Sequence, residues 1–581
     1  MYFVIDDHPF MKYLSFFLLS TLFWSGIGLI QGQSAIYSSD VLHHPIVGSN
    51  GIVSSQHTLA TESGIEILKQ GGNAVDAAVA VGFSLAVVLP RAGNLGGGGF
   101  MLVHSPKKNE TKALNYREMA PLKASRDMYL DDKGNVDNGL IKASYQAAGV
   151  PGAVAGLVQA LETYGTMELK DVMAPAIRLA DKGFPVTYDL SRLLKSYEGR
   201  LKKWPATAEI FYKGDSYYEP GDILVQADLA WSLKQIANKG AKAFYGGEVG
   251  QRLVADMEKN NGLISMKDLD AYEVEIMEPV WGEYRGYQIA SMPPPSSGGI
   301  HIIQMLNVLE GFPLGYLGHN TAETLHLMTE AMKLAYADRS EHLGDPNFWE
   351  VPSDWLTSKE YANEQRNGIN RSYTRSSDDI KPGTPTDYES NETTQFTVID
   401  ANGNVVTNTY TLNFSFGSGI VAKGTGIMLN NEMDDFSAKP GVANAFGLLG
   451  GEANSVQPKK RPLSSMTPTM VFKDGKPFFA TGSPGGSRII TTVLQILLNI
   501  IDHDMNVAEA SHAPRIHHQW YPDKLFIEKG VNYDTQSLLR ARGHEIQQIG
   551  SMGSTQTIMI KDGLLYGASD PRRPDAKTMA Y

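Results

Sequence analysis

Hydrophobic and polar positions change their period several times along the chain. Over residues 58–71 small and apolar residues recur at helical spacing (Ala60, Gly64, Ile67, Leu68), and the run stops on Gly71-Gly72, which predicts a helix with a glycine terminus. Residues 73–89 are apolar almost throughout, yet too short and too rich in small side chains for a membrane span. They are expected to form a helix buried on most sides. Amphipathic helices are predicted over 152–164 and 321–337, and a short apolar strand over 100–104. From residue 393 the period becomes two. Thr-Thr-Gln-Phe-Thr-Val-Ile-Asp leads through Ala401-Asn402-Gly403-Asn404 to a second β-branched run ending at Leu412. Asn-Gly between two such runs predicts a hairpin.

Two stretches carry little to bury or an address. Residues 366–392 are polar and charged, with Ser376-Ser377-Asp378-Asp379 and Pro382-Gly383-Thr384-Pro385, and read as a flexible linker. Residues 1–35 form a leader whose start is expected at Met11: one Lys, an apolar run to Ile30, then Gly32, Ser34 and Ala35. That layout is read as a cleavable secretory signal and predicts a periplasmic or secreted protein. The alternative is a single anchor, since the run lies at the lower limit of about 18 residues for spanning.

Composition then narrows the chemistry. The 581 residues hold 51 Lys and Arg against 63 Asp and Glu, a net charge of −12, which disfavours nucleic acid as a partner. Cysteine is absent, so covalent catalysis has to use oxygen or nitrogen. Gly96-Gly97-Gly98-Gly99 could cradle a phosphate, but no Gly-Lys-Ser/Thr follows, and tight packing is the preferred reading. His517-His518 resembles a metal pair. Neighbours on a strand face opposite ways, so both are read as structural.

A hydroxyl residue that opens a strand behind an accessible linker is what an N-terminal nucleophile enzyme requires. Cleavage before Thr393 would free its α-amine, whose pKa of about 7.7 to 8 makes it a usable base near neutrality, unlike a lysine at about 10.4. Asn391-Glu392-Thr393 is formally a glycosylation sequon and is read as coincidental.

Seven segments, in order, resemble the γ-glutamyltranspeptidases: Gly96 to Phe100, Tyr116-Arg117-Glu118-Met119-Ala120-Pro121, Thr393-Thr394-Gln395, Thr411-Leu412-Asn413, Asn430-Asn431-Glu432-Met433-Asp434-Asp435-Phe436, Arg461-Pro462-Leu463-Ser464-Ser465-Met466 and Thr481-Gly482-Ser483-Pro484-Gly485-Gly486-Ser487. The resemblance covers essentially the whole mature chain. It implies an α/β fold of four layers, α, β, β, α, in the manner of N-terminal nucleophile hydrolases: one domain made from two fragments. Self-cleavage between Glu392 and Thr393 would give a large subunit, 36–392, and a small subunit, 393–581, which stay associated. Thr393 would be nucleophile and base, Thr411 would bond its hydroxyl, and Gly485 and Gly486 would supply oxyanion N–H groups. A γ-glutamyl group offers one carboxylate and one ammonium. Arg117 with Ser464 and Ser465 is assigned to the first, and Asn413, Glu432 and Asp435 to the second.

Relatives often carry Gln at the Glu432 position and Tyr at that of Phe446, in a segment resembling the family's lid. The implied substrates are glutathione and other γ-glutamyl compounds, with amino acids, dipeptides or water as acceptors, and no cofactor or metal. Two alternatives stay open: a β-lactam or glutaryl acylase on the same scaffold, and a silent binding protein for γ-glutamyl peptides.

Overall fold

In the computed structural model, residues 41–381, 393–439, 441–442 and 449–581 are described. The leader, Glu392 and Phe446 lie outside them. The strands that matter here are β1 (Ile46–Gly48), β2 (Gly51–Ser55), β3 (Gly98–Ser105), β4 (Glu110–Tyr116), β5 (Glu275–Met277), β6 (Val280–Tyr284), β7 (Tyr287–Ser291), β8 (Thr394–Asp400), β9 (Val405–Thr411), β10 (Thr469–Lys473), β11 (Lys476–Thr481), β12 (Gln556–Lys561), β13 (Leu564–Ser569) and β14 (Lys577–Ala580). They build two seven-stranded sheets, ordered β14-β2-β8-β9-β3-β4-β5 and β1-β13-β12-β11-β10-β7-β6. Every neighbouring pair is antiparallel.

The sheets face each other, β2 and β8 lying against β12 and β9 against β11. Helices α1 (Thr58–Lys69), α2 (Ala74–Val88) and α3 (Ala153–Tyr164) cover the first sheet. On the second lies α4 (Gly298–Leu309), flanked by α5 (Ala322–His342) and α6 (Arg488–Ile501). The expected four layers are present.

Local chemistry explains the elements. Asn73 caps α2, accepting from the Val75 and Asp76 N–H groups, while Asp76 accepts from the Asn73 N–H. All 15 residues of α2 are buried. Each large apolar side chain buried this way contributes about 1.5–3 kcal/mol. The hairpin forms in register, Ile399 opposite Val405 and Thr394 opposite Tyr410. Its alternation is not one of inside against outside, because both faces are buried. Phe396 and Val398 join the core shared with α2. On the other face Thr397 Oγ1 donates to the Gln556 carbonyl (2.8 Å), and Gln395 Nε2 donates to Thr407 Oγ1 (2.8 Å). Polar side chains are tolerated between the sheets because they are paired there.

The stretch read as a linker from about 366 is held to the body as far as 381. Lys333 Nζ donates to the Arg375 carbonyl (2.6 Å), and Trp520 Nε1 donates to those of Ser377 and Ile380 (3.0 Å each). His517 bonds Thr491 Oγ1 (2.8 Å) and Gln519 Oε1 (2.9 Å), and His518 bonds Asp523 Oδ1 (3.2 Å). Each histidine thus has its own separate partners. Among the described residues no group of three or more potential ligands could hold a metal ion, and no helix is long and apolar enough to cross a membrane.

Candidate active site

Thr393 stands one residue before β8. Since Thr394 pairs with Tyr410, Thr393 falls level with Thr411 at the end of β9. Across β9, Thr411 pairs with Gly98 of β3. The four-glycine run packs backbone against backbone. A methyl at Gly96 would lie 2.1 Å from the Met428 carbonyl oxygen, and one at Gly97 2.0 Å from that of Thr411. Close packing, as expected, is what these glycines serve. After β9 the chain turns at Asn413, whose φ of 73° is left-handed, a conformation asparagine tolerates better than most residues. Its N–H donates to Thr411 Oγ1 (2.8 Å) and its Nδ2 to the Asn431 carbonyl (3.0 Å).

Gly485 and Gly486 precede Ser487, the N-cap of α6, with φ of 134° and 55°. Both values are costly for any residue with a side chain. Backbone N–H groups at a helix start, on the positive end of its dipole, suit a developing oxyanion.

The charged part of the site centres on Arg117, which is fully buried. One terminal nitrogen donates to Glu432, the other to Asp435, and Nε donates to the Pro462 carbonyl (3.2 Å). The pairing with Glu118 that the sequence also allows is present at 3.5 Å, as one ion pair of three. Burial opposes the charge on Arg117, but Glu432, Asp435 and Glu118 together outweigh it and hold the guanidinium charged. Three carboxylates around one cation leave an excess of negative charge. Burial raises the pKa of Glu118, and that of Glu432 well above the usual range, although Arg117 pulls both down.

Ser464 and Ser465 are held by the turn before α4. Ser464 N–H donates to the Pro295 carbonyl, and the Ser297 N–H and hydroxyl both donate to the Ser464 carbonyl, all at 2.8 Å. Arg117, Thr393, Thr411, Asn413, Glu432, Asp435, Ser464, Ser465 and Gly486 line one cleft. Gly485 adjoins it through Gly486. The model of a γ-glutamyltranspeptidase matches residues 60–580 of the chain.

The chain belongs to the γ-glutamyltranspeptidase family. It is 54% identical over 540 residues to the glutathione hydrolase proenzyme of Escherichia coli (strain K12), covering 93% of both chains. It is 45% identical to that of Pseudomonas sp. (strain A14), covering 92% of this chain and 95% of the relative. Among solved structures, the cephalosporin acylase from Bacillus halodurans superposes with a TM-score of 0.83 at 29% identity, covering 95% of this chain and 99% of the acylase. N-terminal nucleophile hydrolases thus share its architecture.

Two cleft residues, Arg339 and Ile489, are absent from the sequence reading. Arg339 lines the pocket from α5. The helix expected over 321–337 continues to His342, and the added turn carries Arg339.

Proposed function

We propose that the chain is a self-processing γ-glutamyltransferase and glutathione hydrolase, exported by its leader to the periplasm or medium. Support comes from one observation: a threonine ahead of a strand, a glycine just before a helix and both signs of charge meet in a single cleft. Cleavage between Glu392 and Thr393 turns the Thr393 amide into an amine. That amine takes the hydroxyl proton as Oγ1 attacks the γ-carbonyl of glutathione, and the oxyanion is met by Gly485 and Gly486. Such a donor is worth about 3–4 kcal/mol in barrier. The carbon–nitrogen bond breaks, the amine of Cys-Gly leaves with the proton, and a γ-glutamyl ester remains on Thr393. Water, an amino acid or a dipeptide then takes the acyl group.

Glu432 and Asp435 engage the terminal nitrogens of Arg117 in the cleft. An entering zwitterion would exchange with that internal pair: its carboxylate replaces the acidic side chains on Arg117, and its ammonium meets the carboxylates so released. The exchange conserves charge. A glutaryl group, without the ammonium, would leave those carboxylates unmet. This argues against the acylase reading, which the likeness to a cephalosporin acylase otherwise favours.

Comparing γ-glutamyl-p-nitroanilide with glutaryl-p-nitroanilide tests the assignment. Release is expected from the first only, and faster turnover of the glutaryl compound would reject it. Wild-type protein should resolve into two fragments and Thr393→Ala should stay one; a clean split of the variant would do equal damage.

A further inference from the structure

We propose that Arg339 is a positioning residue that sets the preference for a free α-carboxylate on the donor, acting through Ser465; this rests on the γ-glutamyl reading above. Arg339 Nε donates to Ser297 Oγ (3.0 Å) and its second terminal nitrogen to Ser465 Oγ (3.3 Å). The two serines belong to different segments, the turn before α4 and the Ser464-Ser465 pair, so one planar cation fixes both. A guanidinium only donates, which occupies a lone pair on the Ser465 oxygen and leaves that hydroxyl's own proton to be given away. The cleft then offers an anion a donor hydroxyl with a positive charge behind it.

Charge accounting points the same way. Arg117 has its terminal nitrogens engaged by Glu432 and Asp435. Arg339 makes no ion pair among the described residues and binds only neutral oxygens. Arg339 is thus a second guanidinium in the lining of the cleft, beside Arg117 with its carboxyl partners Glu432 and Asp435, and an entering carboxylate meets a cation that no acidic side chain engages. Burial lowers the Arg339 pKa to about 10, with Arg117 adding repulsion and Asp435 opposing it, so the side chain is still a cation at neutral pH.

The test compares γ-glutamyl-p-nitroanilide with its α-carboxamide analogue. Arg339→Met is expected to raise KM for the carboxylate substrate by about tenfold or more, with kcat changed by less than about threefold. It should leave the carboxamide nearly unaffected, so that the preference collapses. Arg339→Lys should recover part of it. If the Met variant does not fold, Arg339→Gln reads out the same ratio. Because Arg339 is held to act through Ser465, the double variant Arg339→Met/Ser465→Ala should cost little more than the larger single change. Additive effects, or equal losses on both substrates, would overturn the proposal. Wild type separates the two levels. If it neither self-cleaves nor releases nitroaniline, the γ-glutamyl reading fails; if it does both while the Arg339 variants keep the carboxylate preference, only this inference fails.

Discussion

Asn94 bonds the carbonyl of Thr411 through its carboxamide at 2.8 Å, while its own oxygen accepts from Gly97 N–H at 2.8 Å. One buried side chain thereby ties the glycine run to the strand end beside the proposed nucleophile. Asn94→Ala leaves a donor and an acceptor without their partner, at about 1–3 kcal/mol each. Denaturant titration should find the loss, and self-cleavage should slow with it. An unchanged midpoint would mean that water replaces the carboxamide.

Gly97→Ala places a carbon 2.0 Å from the Thr411 carbonyl oxygen and 2.7 Å from Asn94 Oδ1, inside the link just described. A cost of about 3 kcal/mol or more is expected. Gly199→Ala is the control, since its new carbon meets nothing within 4 Å. Thermal midpoints of the pair should diverge sharply.

The carboxyl groups beside Arg117 make a pH prediction. Burial raises the pKa of both Glu118 and Glu432 in the folded state. A raised folded pKa means stability present below the ordinary carboxylate range and lost as pH climbs above it. Glu118→Gln, neutral throughout, should therefore flatten the decline in thermal midpoint between about pH 5 and 8. A steeper decline in the variant would reverse the sign and reject the account.

Trp520 accepts the Ser377 hydroxyl at its own carbonyl (2.6 Å) and donates its indole N–H to the Ser377 and Ile380 carbonyls, and so holds the segment before the proposed cut. Trp520→Phe keeps a ring but removes that donor. Trypsin cutting at Arg371 and Arg375 should accelerate by about tenfold, corresponding to a weakening of about 1.4 kcal/mol in a local opening. Mass spectrometry of the digest reads the sites directly.

How much of this was legible in the sequence varied with the range of the cause. The helices α1 and α2 and the hairpin rest on local spacing, caps and an Asn-Gly turn, and they stand close to where the pattern puts them. The cleft residues carried by the family segments also meet, except Glu392 and Phe446, which lie outside the described residues. Arg339 was not legible, because its meaning depends on Ser297 and Ser465, which only folding brings to it. The internal pairing of Arg117 with Glu432 and Asp435 was missed for a similar reason: the three had been assigned to opposite ends of a substrate. The linker is shorter than its polar composition suggests because residues 366–380 dock through main-chain carbonyls and through polar pairs such as Arg371 with Glu323 and Arg375 with Glu330, with few apolar side chains to mark them.

The strand orders have a consequence for what a cut before Thr393 would do. In the first sheet β14, β8 and β9 come from beyond that point and β2, β3, β4 and β5 from before it; in the second, β13, β12, β11 and β10 are flanked by β1, β7 and β6. A cut there would fall ahead of a strand and remove no rung of either ladder. Each piece supplies the neighbours the other needs on both edges. The two products would therefore share one interior, and parting them would be an unfolding transition. Made as separate chains, each would carry strand edges that the other piece fills in the uncut chain.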